Sequence, residues 1–420
     1  MEAAEVRDAS RLAAVAVRGL TTRIHETHGG IAGRVFAMVG PVGTPVRVAH
    51  DLISAVTYRS VRTALGVGAV AAVSAAAFRS SGRRLEDSPR GRIALGVLNG
   101  AHGDLVARAA PALALGMTVR VAGRAVPVDD ASVRAAFADA TDRVAVFLHG
   151  LTETEGAWCF QAERHYGRRD VSYGTLLRRD LGFTPVFLRY NTGLHISDNG
   201  RLLGELLSAL VQAWPVPLQD LVIVGHSMGG LVARSALHQA GGGTDAAAHW
   251  TTLVRDTFTL GTPHLGAPLE RGAHAATHLL ARLPETRPIA RVLAARSVGI
   301  KDLRYGAVIE DDWAGRDLDA PGRCLHTHVP LHAGARHFVV RATLTRDWTA
   351  RSARLFGDGL VPPLSAAGDT GDDHRLDYPV DHVWHLGHRH HFHLLNDPLV
   401  YNRIRQWLIE RPEGAHPRAH

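Results

Sequence analysis

The sequence predicts an α/β protein: a mostly parallel central sheet with helices on both faces, preceded by a helical amino-terminal extension. Three observations carry this. From Met117 onward, short apolar runs of strand length alternate with helical patterns, which is how buried parallel strands and their covering helices read. Before about residue 115 the spacing is helical and strand signals are few. The 420-residue chain is 46% hydrophobic and 21% charged, enough to bury a sizeable core and too weakly charged for a solvated, disordered chain.

The elements follow in order. Val46, Ala49, Ile53 and Val56 recur at three- and four-residue steps, the spacing of an amphipathic helix. Thr63–Phe78 is the most apolar run, 16 residues between Arg62 and Arg79, short of the roughly 20 a spanning helix needs. The expectation there is a buried helix, with a membrane-surface segment as the second reading. Ser80–Gly91 is a polar break, and Ile93–Leu115 reads helical again. Met117–Val121 and Val126–Val128 suggest an entry hairpin around Ala122-Gly123. Strands are then expected at Val144–His149, Thr184–Tyr190, Leu221–Gly225, Asp256–Leu260, His337–Thr343 and Asp381–Leu386. Helices are expected at Tyr173–Asp180, Gly200–Trp214 and Met228–Gln239. A last helix starts at the N-cap and N1 pair Asp397-Pro398 and runs to Pro412. The expected division is an extension over 1–115, an α/β domain over 116–412 and a flexible tail over 413–420.

Charge and cysteine content narrow the function. The formal net charge is +7, but the only lysine is Lys301 and the arginines are scattered among 40 acids. No basic run with interleaved aromatics appears, so no nucleic-acid partner is expected. Two cysteines, Cys159 and Cys324, exclude a disulfide framework and read as buried free thiols. The amino terminus carries acids ahead of its apolar part and lacks the pattern of a secretory signal. The expected location is cytoplasmic, with membrane association through the amino-terminal helices left open.

The chemistry concentrates in a few motifs. Gly225-His226-Ser227-Met228-Gly229 is G-x-S-x-G, directly after an apolar strand and opening a helix. That is the context of a nucleophile elbow, in which the serine sits on a strained turn with its Oγ exposed at the sheet edge. His149-Gly150 ends an earlier strand. The amides of Leu151, just beyond it, and of Met228, after the serine, are the expected oxyanion donors. A serine nucleophile needs a base and an orienting acid, expected downstream in the order acid, then histidine. Asp358, in Gly357-Asp358-Gly359, is favoured as the acid over Asp347. The base belongs on the loop between the last strand and the last helix, where His388, His390, His391 and His393 all qualify. Neither Cys nor an acidic ligand is interleaved with that tract, so it reads as no metal site, and no cofactor is expected. His264, in Leu260–Pro268, reads as structural, and Arg189–Gly193 is expected to pack under the oxyanion loop.

Taken together, HG (149–150), GHSMGG (225–230), LGTPHLGAP (260–268), GDGLVP (357–362) and HHFHLL–DPLVY (390–401) resemble the α/β-hydrolase superfamily. The chain looks most like bacterial triacylglycerol lipases and GPI inositol-deacylase-like serine esterases, over roughly Met117 to Trp407. The resemblance implies the α/β-hydrolase fold, with Asp358 as the acid. It places the base in an H-F-x-L-L-like pattern, on His391, with His393 second because relatives often carry a carboxylate there. It also implies a cap or lid over 264–335, where Leu279, Leu280, Leu283, Ile289, Val292 and Leu293 have amphipathic spacing. The expected function is hydrolysis of carboxylic esters, lipid or acyl esters among them, through Ser227, His391 and Asp358. An acyltransferase on the same residues and a non-catalytic, lipid-associated binding module are the alternatives. The expected partners are a small ester or lipid and, through the amino-terminal helices, a peripheral lipid surface.

Overall fold

The structure, a computed structural model, describes residues 1–39, 44–79, 84–241, 249–267, 295–318, 327–369 and 375–411. Residues 268–294 and 319–326 of the cap segment, including the six apolar residues named above, lie outside the described residues, as do Cys324 and the tail.

Helices α1 (Ala3–Val39) and α2 (Thr44–Arg79) form a long hairpin, followed by α3 (Pro89–Ala109). The α/β part then runs β1 (Thr118–Val121), β2 (Arg124–Val126), α4 (Asp130–Ala136), β3 (Arg143–Leu148), α5 (Ala162–Tyr166), α6 (Tyr173–Leu181) and β4 (Thr184–Arg189). It continues with α7 (Ile196–Ala213), β5 (Asp220–His226), α8 (Met228–Gly241), α9 (His249–Leu253), β6 (Val254–Leu260), α10 (Val298–Asp302) and β7 (Arg336–Thr343). Helices α11 (Arg351–Phe356) and α12 (Pro363–Ala366), strand β8 (Val383–Gly387) and helix α13 (Pro398–Ile409) complete it.

The eight strands form one sheet in the order β2-β1-β4-β3-β5-β6-β7-β8. β1 is antiparallel to β2 and β4, and every other pairing is parallel. This is the expected α/β-hydrolase fold with its amino-terminal helical extension. Alternate residues of the central strands serve two cores. Val144, Val146 and Leu148 of β3 join Leu203 and Leu207 of α7 and Leu231 of α8 on one face. Ala145 and Phe147 join Tyr173 and Leu177 of α6 and Ile404 of α13 on the other. Strands buried on both faces have no polar alternation, which is why they were legible as continuous apolar runs. Asp397 caps α13 by accepting from the Leu399 N–H at 2.8 Å.

The chain order reverses between β3 and β5, which lie side by side with Leu148 opposite Gly225. Ligands of open α/β sheets bind outside the carboxyl ends of the strands at such a switch point. The loops after β3 and β5 therefore converge there.

The extension is not uniform. The segment Thr63–Phe78 is not the buried helix expected from its composition: it forms the second half of α2, and its Leu65 and Val67 are 50% and 66% exposed. A two-helix hairpin gives each helix one partner face, so apolar residues on its other sides stay in water. α3, by contrast, packs on the α/β part, with Leu95, Asn99, Gly100 and Val106 buried. Cys159 is a half-buried free thiol whose pKa burial raises.

Candidate active site

Ser227 stands between the last residue of β5 and the first of α8 with φ +53°. A non-glycine residue in this left-handed region is uncommon and costs about 1–3 kcal/mol, so the surroundings must impose it. They do so on both sides. The Ser227 N–H donates to the Leu260 carbonyl at the end of β6 (2.9 Å), and the Ser227 carbonyl accepts from the Gly230 N–H (3.1 Å). A Cβ on Gly229 would stand 2.3 Å from the Leu148 carbonyl oxygen, so α8 can meet the end of β3 only with glycine there. The serine is half-buried at the carboxyl edge of the sheet.

Asp358 and His391 come together from elements 33 residues apart, with His391 Nδ1 to Asp358 Oδ2 at 2.7 Å. The other carboxylate oxygen of Asp358 accepts from the Leu360 and Val361 N–H groups (3.0 and 2.9 Å). The Asp358 carbonyl accepts from the His391 N–H at 3.0 Å. Both residues are buried. Burial pushes the His391 pKa down, but the facing Asp358 charge and hydrogen bond, with a smaller push from Glu153, outweigh it and hold the imidazole above its ordinary value. The pair joins the elbow in two ways. A Cβ on Gly261, next to the Leu260 that anchors Ser227, would lie 3.1 Å from His391 Nδ1 and Cε1. The ring of His226, which precedes the serine, has its centroid 4.7 Å from that of His391.

The other candidates stand apart. His388 is exposed, with φ +57°. The rings of His390 and His393 pack against each other at 3.6 Å, tilted by 32°, and burial lowers the pKa of both. Asp347 is exposed and closes its own turn, accepting from the Thr349 N–H (2.8 Å) and hydroxyl (2.7 Å). Buried His264 accepts or donates at Nε2 with the Tyr378 hydroxyl (3.1 Å), and burial holds its pKa well down.

Leu151 lies in the tight turn after β3, closed by the Glu153 N–H donating to the Gly150 carbonyl (3.2 Å). A Cβ on Gly150 would come within 2.9 Å of Ser227 Cβ, so this turn abuts the elbow. The Gly150 N–H is engaged by Glu153 Oε2 at 2.6 Å. Neither the Leu151 nor the Met228 N–H has an acceptor among the described residues. Two unengaged amides flanking a strained serine can bind developing negative charge. The Arg189–Gly193 segment does pack under the turn: Tyr190 stacks on His149 (4.5 Å) and its hydroxyl donates to the His149 carbonyl at 2.6 Å.

One pair was missed in the sequence. Buried His226 places Nδ1 3.1 Å from Glu153 Oε2 and Nε2 3.3 Å from the His391 carbonyl oxygen. Both ring nitrogens thus face oxygen atoms of the site. Burial would raise the Glu153 carboxyl, but His226 and the Gly150 N–H outweigh it and keep its pKa low. The available signal was the histidine inside the G-x-S-x-G motif and a glutamate three residues after His149-Gly150.

Residues 189–319 match the family model of the PGAP1-like alpha/beta domain. Among solved structures, the mature Bacillus licheniformis lipase BlEst2 is similar at 20% identity and a TM-score of 0.40, covering 63% of this chain and 91% of that one. The Listeria innocua lin2722 product is similar at 13% identity and a TM-score of 0.37, covering 65% and 96%. The Staphylococcus hyicus lipase is similar at 14% identity and 0.36, covering 64% and 96%. No curated protein matches the sequence.

Proposed function

We propose that this α/β-hydrolase cleaves carboxylic esters, lipid or acyl esters being the substrate class, by serine catalysis. The observation that carries the reading is the strained Ser227 at the switch point, tied through Leu260-Gly261 and His226 to the buried Asp358–His391 pair. Ser227 Oγ attacks the ester carbonyl carbon while His391 takes its proton. Asp358 holds Nδ1 protonated and stabilises the imidazolium. The Leu151 and Met228 amides receive the oxyanion, a contribution of a few kcal/mol per donor. Collapse expels the alcohol, protonated by His391, and leaves an acyl-serine. Water activated by the same histidine then releases the acid.

Hydrolysis of p-nitrophenyl esters from acetate to palmitate, with Ser227→Ala and Asp358→Asn beside the wild type, tests this. Ser227→Ala should lose about 10⁶-fold in kcat, and Asp358→Asn about 10⁴-fold because the wrong tautomer prevails. A folded wild type with no ester hydrolysis, or a Ser227→Ala variant that keeps it, overturns the reading and moves weight to an acyltransferase or a binding module.

The partner surface belongs to the same reading. In the α1–α2 hairpin, Val48, Leu52, Ile53 and Val67 are 64–66% exposed. Residues 9–79 hold eight arginines and only two acids, Glu26 and Asp51, which pair with Arg23 and Arg47. Exposed apolar side chains in a stretch where arginines outnumber acids suit an anionic bilayer surface, where each basic residue contributes about 1 kcal/mol. No described helix is long and apolar enough to cross a membrane, so the hairpin would lie on such a surface.

A further inference from the structure

The turn that carries the Leu151 amide is strained. Its third residue, Thr152, has φ +64°, and a β-branched side chain in that region is a genuine outlier. Such a conformation persists only where neighbouring groups dictate it. Here the neighbour is α3. A Cβ added to Gly100 would lie 2.6 Å from Thr152 Cγ2 and 2.9 Å from its Cα and N. One added to Gly96 would lie 2.8 Å from the Thr152 carbonyl oxygen. The helix backbone therefore presses directly on the turn. From the other side, the Thr152 N–H donates to Thr192 Oγ1 at 3.2 Å.

α3 is itself held in place at several points. Buried Asn99 donates to the Leu95 and Leu113 carbonyls and accepts from the Leu115 N–H, each at 2.9 Å. At His102 the helix kinks (φ −143°, ψ 31°). Around the kink, the Gly100 and Ala101 carbonyls accept from the Ser297 hydroxyl (2.6 Å) and N–H (2.9 Å). The Gly103 carbonyl accepts from Asn191 Nδ2 at 3.1 Å. Just before α3, Glu86 binds Arg189 Nη1 at 2.9 Å. The other edge of that buried guanidinium grips Glu155, two residues past the turn, on both carboxylate oxygens.

We propose that α3 is a positioning element of the oxyanion site: its Gly96–Gly100 face, with the Glu86–Arg189–Glu155 bridge, holds turn 150–153 in its strained shape and so keeps the Leu151 amide beside Ser227. This rests on Ser227 being the nucleophile. It assigns a part of the extension to catalysis, acting through the turn and not through substrate.

The test compares wild type, Gly100→Ala, Thr152→Gly and the exposed-face control Ile93→Ala. Measured are kcat and KM on p-nitrophenyl butyrate, the affinity of an alkyl boronic acid that mimics the tetrahedral state on Ser227, and thermal melting. Gly100→Ala should lower kcat and boronate affinity together by about 10- to 100-fold, as loss of part of an oxyanion donor does, with KM within threefold. Ile93→Ala should match wild type. Thr152→Gly relieves the strain and removes the side chain α3 presses on. It should lower kcat about 10-fold with melting unchanged or higher, and it decides the matter should Gly100→Ala fail to fold. Retention of kcat within twofold in Thr152→Gly and in any folded Gly100→Ala overturns the proposal. So does a fall in kcat that tracks a rise in KM and a drop in melting, the mark of general loosening. In either case an active wild type leaves the serine-esterase reading standing. A wild type without Ser227-dependent hydrolysis overturns that reading and the α3 proposal together.

Discussion

The α1–α2 hairpin and α3 come from the same Ala-, Val-, Gly- and Arg-rich stretch, yet the fold uses them in opposite ways. The hairpin is tied to the rest of the molecule mainly at its base. Glu5 accepts from the Leu85 N–H (3.0 Å) and Asp8 from the Ala112 N–H (2.7 Å). Along its length, about 55 Å for the 37 residues of α1 at 1.5 Å each, the helices hold each other through contacts such as the His25–Tyr58 stack (4.5 Å). α3 instead sends Gly100 and Gly103 into the loops around Ser227, and its Asn99 ties it to the segment before β1. Helicity and apolarity alone therefore do not tell whether a segment is scaffold or surface. What separates the two is close backbone approach and buried hydrogen bonds in α3, against exposed side chains in the hairpin.

The sharpest way to break this comparison is Asn99→Leu. It leaves the Leu115 N–H and two carbonyls without their side-chain partner, at a cost of about 2–3 kcal/mol. Urea unfolding should show that loss, and an unchanged midpoint would place α3 with the hairpin as a dispensable surface helix.

A smaller effect probes the site that α3 supports. In the proposed mechanism His391 must be neutral to accept the Ser227 proton, and its pKa is raised. The rate should therefore fall as pH drops through a value above the ordinary imidazole range. Glu153→Gln removes one of the charges that raise it, so the acid limb of kcat/KM should move to lower pH. A limb that stays in place would mean that the Glu153 charge is not felt at His391. The same raised pKa makes the Asp358–His391 ion pair stabilising at low pH, a contribution lost as pH rises through the folded-state value.

The smallest effect is expected in the hairpin. Leu52→Gln with Val67→Gln should change stability by less than about 0.5 kcal/mol, as exposed positions do, and leave hydrolysis of a soluble ester unchanged. Sedimentation with vesicles containing phosphatidylglycerol should fall for that variant and, more steeply, for Arg18→Glu with Arg59→Glu. Equal binding by all forms, or none by the wild type, would sink the lipid-surface role. A concentration-dependent dimer lost in the Leu52/Val67 variant would assign the face to a second copy of the chain.

Much of the architecture could be read in advance because it is written in local patterns. Strands buried on both faces need unbroken apolar runs, and a serine on a strand-to-helix turn needs glycines around it. Those requirements act within a few residues of one another, so the order of strands and helices, the elbow at Ser227 and the capped start of α13 were determined by the sequence by itself. What only the tertiary structure decided depends on partners distant in the chain. Four histidines share one loop, and His391 alone among them meets Asp358. Glu153 and His226 are 73 residues apart and form a buried pair only because β3 and β5 are neighbours. Thr63–Phe78 is uncharged and α3 carries Arg90, Arg92, Asp104 and Arg108, yet α3 is the one that packs on the α/β part: hydrophobicity records a tendency to leave water and not which surface is on offer. The hairpin finds one helix, whereas α3 finds the turn beside the serine.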